Sequence, residues 1–181
     1  MRADLSTIIA VCLLFLGFQC NSSAHARSLQ QYYVKGVVDL HGKTLDLPEK
    51  TTILFKNDSK IVNGTIRGNN TTIKNASDDC FGVILTGTWN VKEISDTWFD
   101  KKCLTDNDII KSLDALQSDR IKQTLKIERD HCLELSSEFN TGLSIASNTK
   151  VILKAVLSIE GNALERYNIV SIVRKENVSL N

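Results

Sequence analysis

Short apolar runs rich in β-branched residues recur from Val37 to the end of the chain. They are separated by glycine, asparagine, aspartate and lysine, and each is too short to form a helix. Residues of this kind favour β-strands. The dipeptides Asn63-Gly64 and His41-Gly42 indicate turns, because they tolerate a positive φ. Many short strands predict a sandwich, a barrel or a β-solenoid, and no strict repeat chooses among these folds.

One segment departs from this pattern and predicts a helix. Thr105 and Asp108 form a capping box, in which each side chain satisfies a free backbone N–H group at the helix start. The apolar residues that follow lie on one stripe of a helix that ends at about Ser118. We expect this helix to cover an open end of the β-structure, burying Ile110, Leu113 and Leu116.

Residues 1–26 have the features of a secretory signal peptide. An apolar run at residues 8–18 is about half the ~20 residues that a membrane-spanning helix needs. Ala24-His25-Ala26 offers a cleavage site, and we place cleavage after Ala26. The alternative is a lipid anchor at Cys20, which the preceding Gln19 disfavours because that position requires a small residue. Both interpretations predict an exported protein (periplasmic, extracellular or at the cell surface) without a membrane span.

The charge balance excludes one class of partner. The chain has 22 Lys+Arg and 21 Asp+Glu residues, a formal net charge of +1, and no block of like charge. This balance argues against nucleic-acid binding.

The cysteines Cys80, Cys103 and Cys132 remain after export, and their spacing matches no zinc site. We expect partly buried thiols and leave one disulfide open; we predict no metal and no cofactor.

Two groups of polar residues are candidates for chemistry, and each has a simpler explanation. Asp78 and Asp79 form an adjacent acid pair, but neighbouring strand residues face opposite sides of a sheet and this pair follows a polar loop. Glu128, Asp130 and His131 suit acid–base work or metal binding. A solvated turn between strands explains them more simply.

Three aromatic residues form a separate candidate. Trp89, Trp98 and Phe99 could offer a platform for sugar rings, since aromatic faces bind the apolar faces of sugars. Packing where the N-terminal segment meets the first coils is the alternative, and we favour it. We assign no catalytic residue in this chain.

Two stretches together carry a family resemblance. The first is residues 36–75, continuing to Gly87-Thr88-Trp89 and Asp96-Thr97-Trp98-Phe99. The second contains LTDNDIIKSLDAL, CLELSSEF, SNTKVILKAVLSIEG and IVSIVRKENVSLN. They resemble the N-terminal region of secreted bacterial right-handed parallel β-helix proteins of the pectin-lyase-like superfamily.

The resemblance implies an all-β, right-handed parallel β-helix with one α-helix that plugs its first coil. It also implies a protein that binds polysaccharide or acts on it as a hydrolase or lyase. Residues 100–106 lack the Gly-Asp-Gly type of acidic run that family members often carry before the helix. No position matches the family's catalytic residues, so none is assigned here.

We therefore divide the chain into four parts. They are a signal peptide at 1–26, a β-rich segment with the first coils at 27–104, the helix at 105–118, and open-ended coils at 119–181. Because strand-like sequence continues to the last residue, we expect the non-catalytic N-terminal part of a longer protein. The alternatives are an adhesion-type β-helix without enzymatic activity and a carbohydrate-binding β-sandwich.

The solenoid interpretation also predicts an apolar column along the axis of the molecule, because inward side chains of stacked coils meet there. We assign to this column Leu45, Leu47, Ile53, Phe55, Ile66, Ile73, Ile145, Ile152 and Ile159.

Overall fold

A computed structural model of the chain describes residues 19–20, 30–134, 141–160, 168–172 and 175–181. It is a β-solenoid of about six turns in which short parallel strands of successive turns stack on one another. The predicted solenoid of parallel strands with one helix is thus confirmed. The parallel ladders rule out the β-sandwich alternative, which needs two packed antiparallel sheets.

The predicted signal peptide lies outside the described residues except for strand β1 (Gln19–Cys20). β1 pairs antiparallel with β2 (Gln31–Val34), the first strand of the solenoid. Cleavage after Ala26 would remove β1 and leave the edge of β2 open.

The first three turns contain three long strands, β3 (Val37–Asp46), β5 (Lys60–Lys74) and β6 (Phe81–Trp89). The short strand β4 (Thr52–Phe55) lies between β3 and β5 along the chain. β5 pairs in parallel with β3, β4 and β6. His41, Asn63 and Asn70 have positive φ within β3 and β5, a conformation that asparagine tolerates better than most residues.

The later turns use shorter strands. One parallel sheet contains β7 (Glu93–Ser95), β8 (Gln123–Ile127), β11 (Thr149–Leu153) and β14 (Ser179–Leu180). On the other sides, β9 (His131–Glu134) pairs with β12 (Leu157–Glu160), and β10 (Thr141–Ser144) pairs with β13 (Asn168–Ser171). A 3₁₀ turn (Asp96–Trp98) and helix α1 (Asp106–Leu116) complete the fourth turn.

Helix α1 begins at the predicted capping box and buries Ile110, Leu113 and Leu116, as expected. Its position differs from the expectation of a plug over the first coil. It packs against β6 on one side and against β9 and β10 on the other, in the middle of the stack. The reason is chain order, because each solenoid turn stacks on its neighbours and three turns precede the helix. Within the described residues no helix has the length and apolarity to cross a membrane.

The apolar column follows the prediction with one clear error. Six of the nine predicted residues are buried: Leu47, Ile53, Phe55, Ile66, Ile73 and Ile145. Leu45 and Ile159 are partly buried and pack against them. The assignment of Ile152 to the column is wrong. Its neighbour Val151 is the buried apolar residue of β11, and successive strand residues face opposite sides of the sheet.

Cys80, Cys103 and Cys132 are free thiols. Cys80 is buried, and burial raises the pKa of its thiol to about 12. Cys103 and Cys132 are exposed, so the expectation of partly buried thiols is wrong for these two residues.

Candidate functional site

A hollow of about 460 Å³, here called the Trp98 hollow, opens between the third and fourth turns of the solenoid. Backbone hydrogen bonds join the two turns on either side of it. The Asn90 N–H donates to the Thr71 carbonyl at 2.7 Å, and the Asp79 N–H donates to the Thr97 carbonyl at 2.8 Å. Between them, no strand ladder within the described range 30–134 joins residues 72–74 to β7. Two open strand edges, which present backbone N–H and C=O groups, therefore border the hollow.

Trp98 lies in the wall of this hollow. It ends the 3₁₀ turn, which Ser95 caps by accepting the Thr97 N–H at 3.2 Å. Its side chain is partly exposed and packs in part against the core. Trp89 and Phe99 are buried, as the packing interpretation predicts. Of the three predicted aromatic residues, Trp98 is therefore the one available to a ligand.

A second hollow of about 480 Å³, the lysine hollow, continues along the same side of the solenoid. It shares Lys92 and Glu93 with the Trp98 hollow, and together the two form what we call the groove. Lys122 and Lys150 also line the lysine hollow. Glu93 forms an ion pair with Lys126 at 3.5 Å, so its negative charge is already paired. The lysine hollow thus has an excess of positive charge.

The predicted Asp78–Asp79 pair lines a separate, more open space, the acidic hollow, of about 790 Å³. Both residues are exposed, and Asp79 has a φ of +55°, as a turn residue does. The Asp79 carboxylate is bound by Arg129 Nη1 at 2.7 Å. The loop interpretation of this acid pair therefore describes the structure better than a catalytic one.

His131 lies at the centre of a buried polar cluster. Its Nε2 is 3.0 Å from Asp96 Oδ2, and its Nδ1 is 2.9 Å from Asp106 Oδ1. The side chains of His131 and Asp96 have no exposed surface. Asp96 also accepts the backbone N–H groups of Glu128 and Arg129, at 3.0 and 2.8 Å. The cluster joins the 3₁₀ turn, the start of α1 and the start of β9.

Asp106 is the outer member of this cluster. Burial raises the pKa of its carboxyl, but the hydrogen bonds from Lys101, the Cys132 N–H and His131 outweigh burial and hold that pKa below its ordinary value of 3.8. Lys101 Nζ lies 2.8 Å from Asp106 Oδ1. Both ring nitrogens of His131 are occupied by carboxylates, so neither is available to deprotonate a nucleophile. The hydrogen bonds of the cluster hold the three segments together, and its geometry does not suit acid–base catalysis.

Glu128 and Asp130, the other members of the predicted acid–base group, are not hydrogen-bonded to the His131 side chain and have partners of their own. Glu128 Oε1 accepts Lys154 Nζ at 2.8 Å, and Asp130 Oδ1 accepts the Val156 N–H at 2.8 Å. Both are exposed, as a solvated turn predicts, whereas His131 is buried. Across the described part of the chain, no group of three or more His, Cys, Asp or Glu residues is arranged to hold a metal ion.

Sequence reasoning missed both the buried cluster and the lysine hollow. Asp96 and His131 are far apart in sequence, so their pairing depends on which turns stack. Lys92, Lys122 and Lys150 recur at about the length of one solenoid turn in this region. That spacing is the signal that could have identified the basic row.

Comparison of the chain with protein-family models, with curated proteins and with solved structures finds no match.

Proposed function

We propose that this chain is an exported β-solenoid that binds polysaccharide in the groove. The Trp98 hollow is the observation that supports this function, because an accessible aromatic ring lies there beside two open strand edges. An aromatic ring packs well against the apolar face of a sugar. Backbone N–H and C=O groups on the strand edges can bind the sugar hydroxyls. The volume of about 460 Å³ falls within the ~300–1,000 Å³ range of ligand sites.

The groove suits an extended polymer better than a single small molecule. Its two hollows share Lys92 and Glu93, so a chain that fills the first can continue into the second. β7, β8 and β11 stack about 4.8 Å apart, and the lysine hollow therefore presents side chains at regular intervals along the solenoid. A linear polysaccharide likewise presents one ring after another.

We propose binding without cleavage. Glycoside hydrolysis needs two carboxyl groups on either side of the scissile bond, about 5–9.5 Å apart. Among the described residues Glu93 is the one carboxylate that lines the groove. The acid pair predicted from the sequence lines the separate acidic hollow, where Arg129 binds Asp79.

Affinity electrophoresis of the full chain in gels that contain soluble polysaccharides tests this function. We expect retardation of the wild type and a loss of affinity of about tenfold for Trp98→Ala, which corresponds to about 1.4 kcal/mol. Trp98→Phe retains an aromatic face and should keep most of the affinity. Tyr33→Ala removes a partly exposed aromatic ring outside the groove and should bind as the wild type does. Equal retardation of Trp98→Ala and wild type, with circular dichroism showing both folded, contradicts the proposal.

A further inference from the structure

The two hollows of the groove differ in chemistry, and we infer that the ligand is a polysaccharide containing both neutral and acidic sugars. This inference rests on the proposed polysaccharide binding. The Trp98 hollow has four apolar wall residues, Ile73, Ala76, Val91 and Trp98, beside polar ones that include Lys74 and Lys92. The lysine hollow has polar ones, including Lys122, Thr124, Asn148 and Lys150. One site is therefore suited to stacking and the other to pairing with anions.

The positive charge of the lysine hollow contrasts with the near-neutral chain. Lys92, Lys122 and Lys150 line it and are exposed, while its one acid, Glu93, is paired with Lys126. The acidic hollow is more nearly balanced, because Lys60 and Lys102 line it beside its four aspartates and Arg129 pairs with Asp79. The formal net charge of +1 thus conceals a local excess of positive charge at the lysine hollow. Carboxylate or sulfate groups of a glycan match the lysine ammonium groups there.

Strand register gives the distance between the two kinds of site. Thr124 pairs with Glu93 on one side and with Lys150 on the other, so these three residues form one row across β7, β8 and β11. Glu93 borders both hollows. Two ladder spacings place Lys150 about 10 Å beyond it. Lys150 therefore lies one or two sugar residues beyond Glu93, the residue at which the two hollows meet.

A uniform polymer fits this groove less well than a mixed one. An acidic sugar that packs on Trp98 would lose hydration against Ile73, Ala76 and Val91. Two of the residues that line this hollow, Lys74 and Lys92, could compensate its charge, whereas three lysines line the lysine hollow. A wholly neutral polymer would bring no partner to Lys122 and Lys150. An alternation of neutral and acidic sugars satisfies both hollows at once.

Titration of the full chain with three polymers tests this inference: dextran, which is neutral; alginate, which is acidic at every sugar; and hyaluronan, in which neutral and acidic sugars alternate. We expect hyaluronan to bind about tenfold more tightly than the other two. The double variant Lys122→Gln/Lys150→Gln should reduce hyaluronan affinity to the dextran level. Lys43→Gln/Lys56→Gln makes the same charge change at exposed residues outside the groove and should leave the preference intact.

The outcomes separate this inference from the proposed function. Alginate or inorganic polyphosphate binding as tightly as hyaluronan would overturn the mixed-sugar inference, as would a Lys122/Lys150 variant with unchanged preference. Both results leave polysaccharide binding at Trp98 standing. Absence of binding to all three polysaccharides, or binding that Trp98→Ala does not weaken, would overturn the proposed function and this inference with it.

Discussion

Asp96 and His131 form a hydrogen bond of 3.0 Å between two turns of the solenoid, and neither side chain has any exposed surface. Asp96 lies in the 3₁₀ turn of the fourth turn, and His131 begins β9 of the fifth. A buried carboxylate is costly unless hydrogen bonds and a partner compensate for its lost hydration. His131 and two backbone N–H groups provide this compensation at the place where α1 interrupts the strand stacking.

Replacing Asp96 should therefore destabilise the protein strongly. We expect Asp96→Ala to lower the free energy of unfolding by about 3–5 kcal/mol, because the buried His131 ring and two partly buried backbone N–H groups lose their partner. Urea denaturation followed by circular dichroism measures this change. Asp46→Ala removes an exposed carboxylate, 3.2 Å from the exposed Arg67 guanidinium, and should stay within about 0.5 kcal/mol of wild type. Equal effects of the two variants would show that the Asp96–His131 contact does not stabilise the fold.

The capping box of α1 makes a smaller, separable contribution. The Thr105 hydroxyl accepts the Asp108 N–H at 3.2 Å, and the Asp108 carboxylate accepts the Thr105 N–H at 3.3 Å. Thr105→Ala should reduce the free energy of unfolding by about 1 kcal/mol, whereas Thr105→Ser keeps the hydroxyl and most of the stability. Chemical denaturation of the three proteins checks this order, and a serine variant as unstable as the alanine variant would be inconsistent with capping.

The stacking of the second and third turns depends on glycine at residue 87. Gly87 has a φ of +82°, and a Cβ placed on it would clash with the Gly68 carbonyl oxygen. Gly36 has a φ of +63°, but a Cβ placed there would have no atom within 4 Å. An alanine at residue 36 therefore introduces backbone strain without a steric clash, and serves as the control. We expect Gly36→Ala to cost about 1–2 kcal/mol and Gly87→Ala about 1–3 kcal/mol more. Thermal and urea unfolding of both variants provides the comparison, and similar losses would argue against this close approach of the two turns.

Asp114 should make the protein less stable as pH rises. Burial raises the pKa of its carboxyl from the ordinary 3.8 to about 7, and the hydrogen bond from the Ser144 N–H offsets only part of that effect. Because the folded-state pKa lies above the unfolded one, the folded state binds more protons between about pH 4 and pH 7, and stability falls across this range. Asp114→Asn should therefore melt a few degrees above wild type at pH 8 and close to it at pH 4.

Asp119→Asn is the matched control with the opposite sign. The hydrogen bonds from Lys175 and the Ser147 N–H lower the pKa of Asp119, so its ionised form stabilises the folded state. This contribution is present above the unfolded pKa and is lost as pH falls through the folded one. Differential scanning calorimetry at pH 8 should thus show opposite shifts in melting temperature for the two variants. A lower melting temperature for Asp114→Asn at pH 8 would contradict the assignment of its raised pKa.

Local sequence determines much of the solenoid. Ile53 and Ile66 are buried where the pattern predicts them, because a short strand with a polar turn on each side has one inward face. The Thr105–Asp108 capping box likewise predicts the start of α1, since all of its hydrogen bonds lie within one helical turn. Ile152 shows the limit, because a shift of one residue moves a side chain to the other face of a strand and adjacent Val151 and Ile152 are equally apolar.

Features that depend on stacking could not be predicted from the sequence. The buried Asp96–His131 pair requires knowledge of which segments lie in neighbouring turns. The Trp98 hollow exists because residues 72–74 and β7 do not form a ladder, and no residue type encodes such a gap. The mid-stack position of α1 similarly follows from the number of turns that precede it, which the irregular spacing of the strand-like runs does not define.

The central claim is that polysaccharide binds at the Trp98 hollow, and backbone amide chemical shifts of the ¹⁵N-labelled full chain test it most directly. During titration with hyaluronan oligosaccharides, we predict saturable shifts at residues 72–76 and 90–93 and at the Trp98 indole N–H. The amides of residues 58–60, 100 and 102, which line the acidic hollow, should not move. Shifts centred on the acidic hollow, or no shifts at saturating oligosaccharide, would contradict the claim.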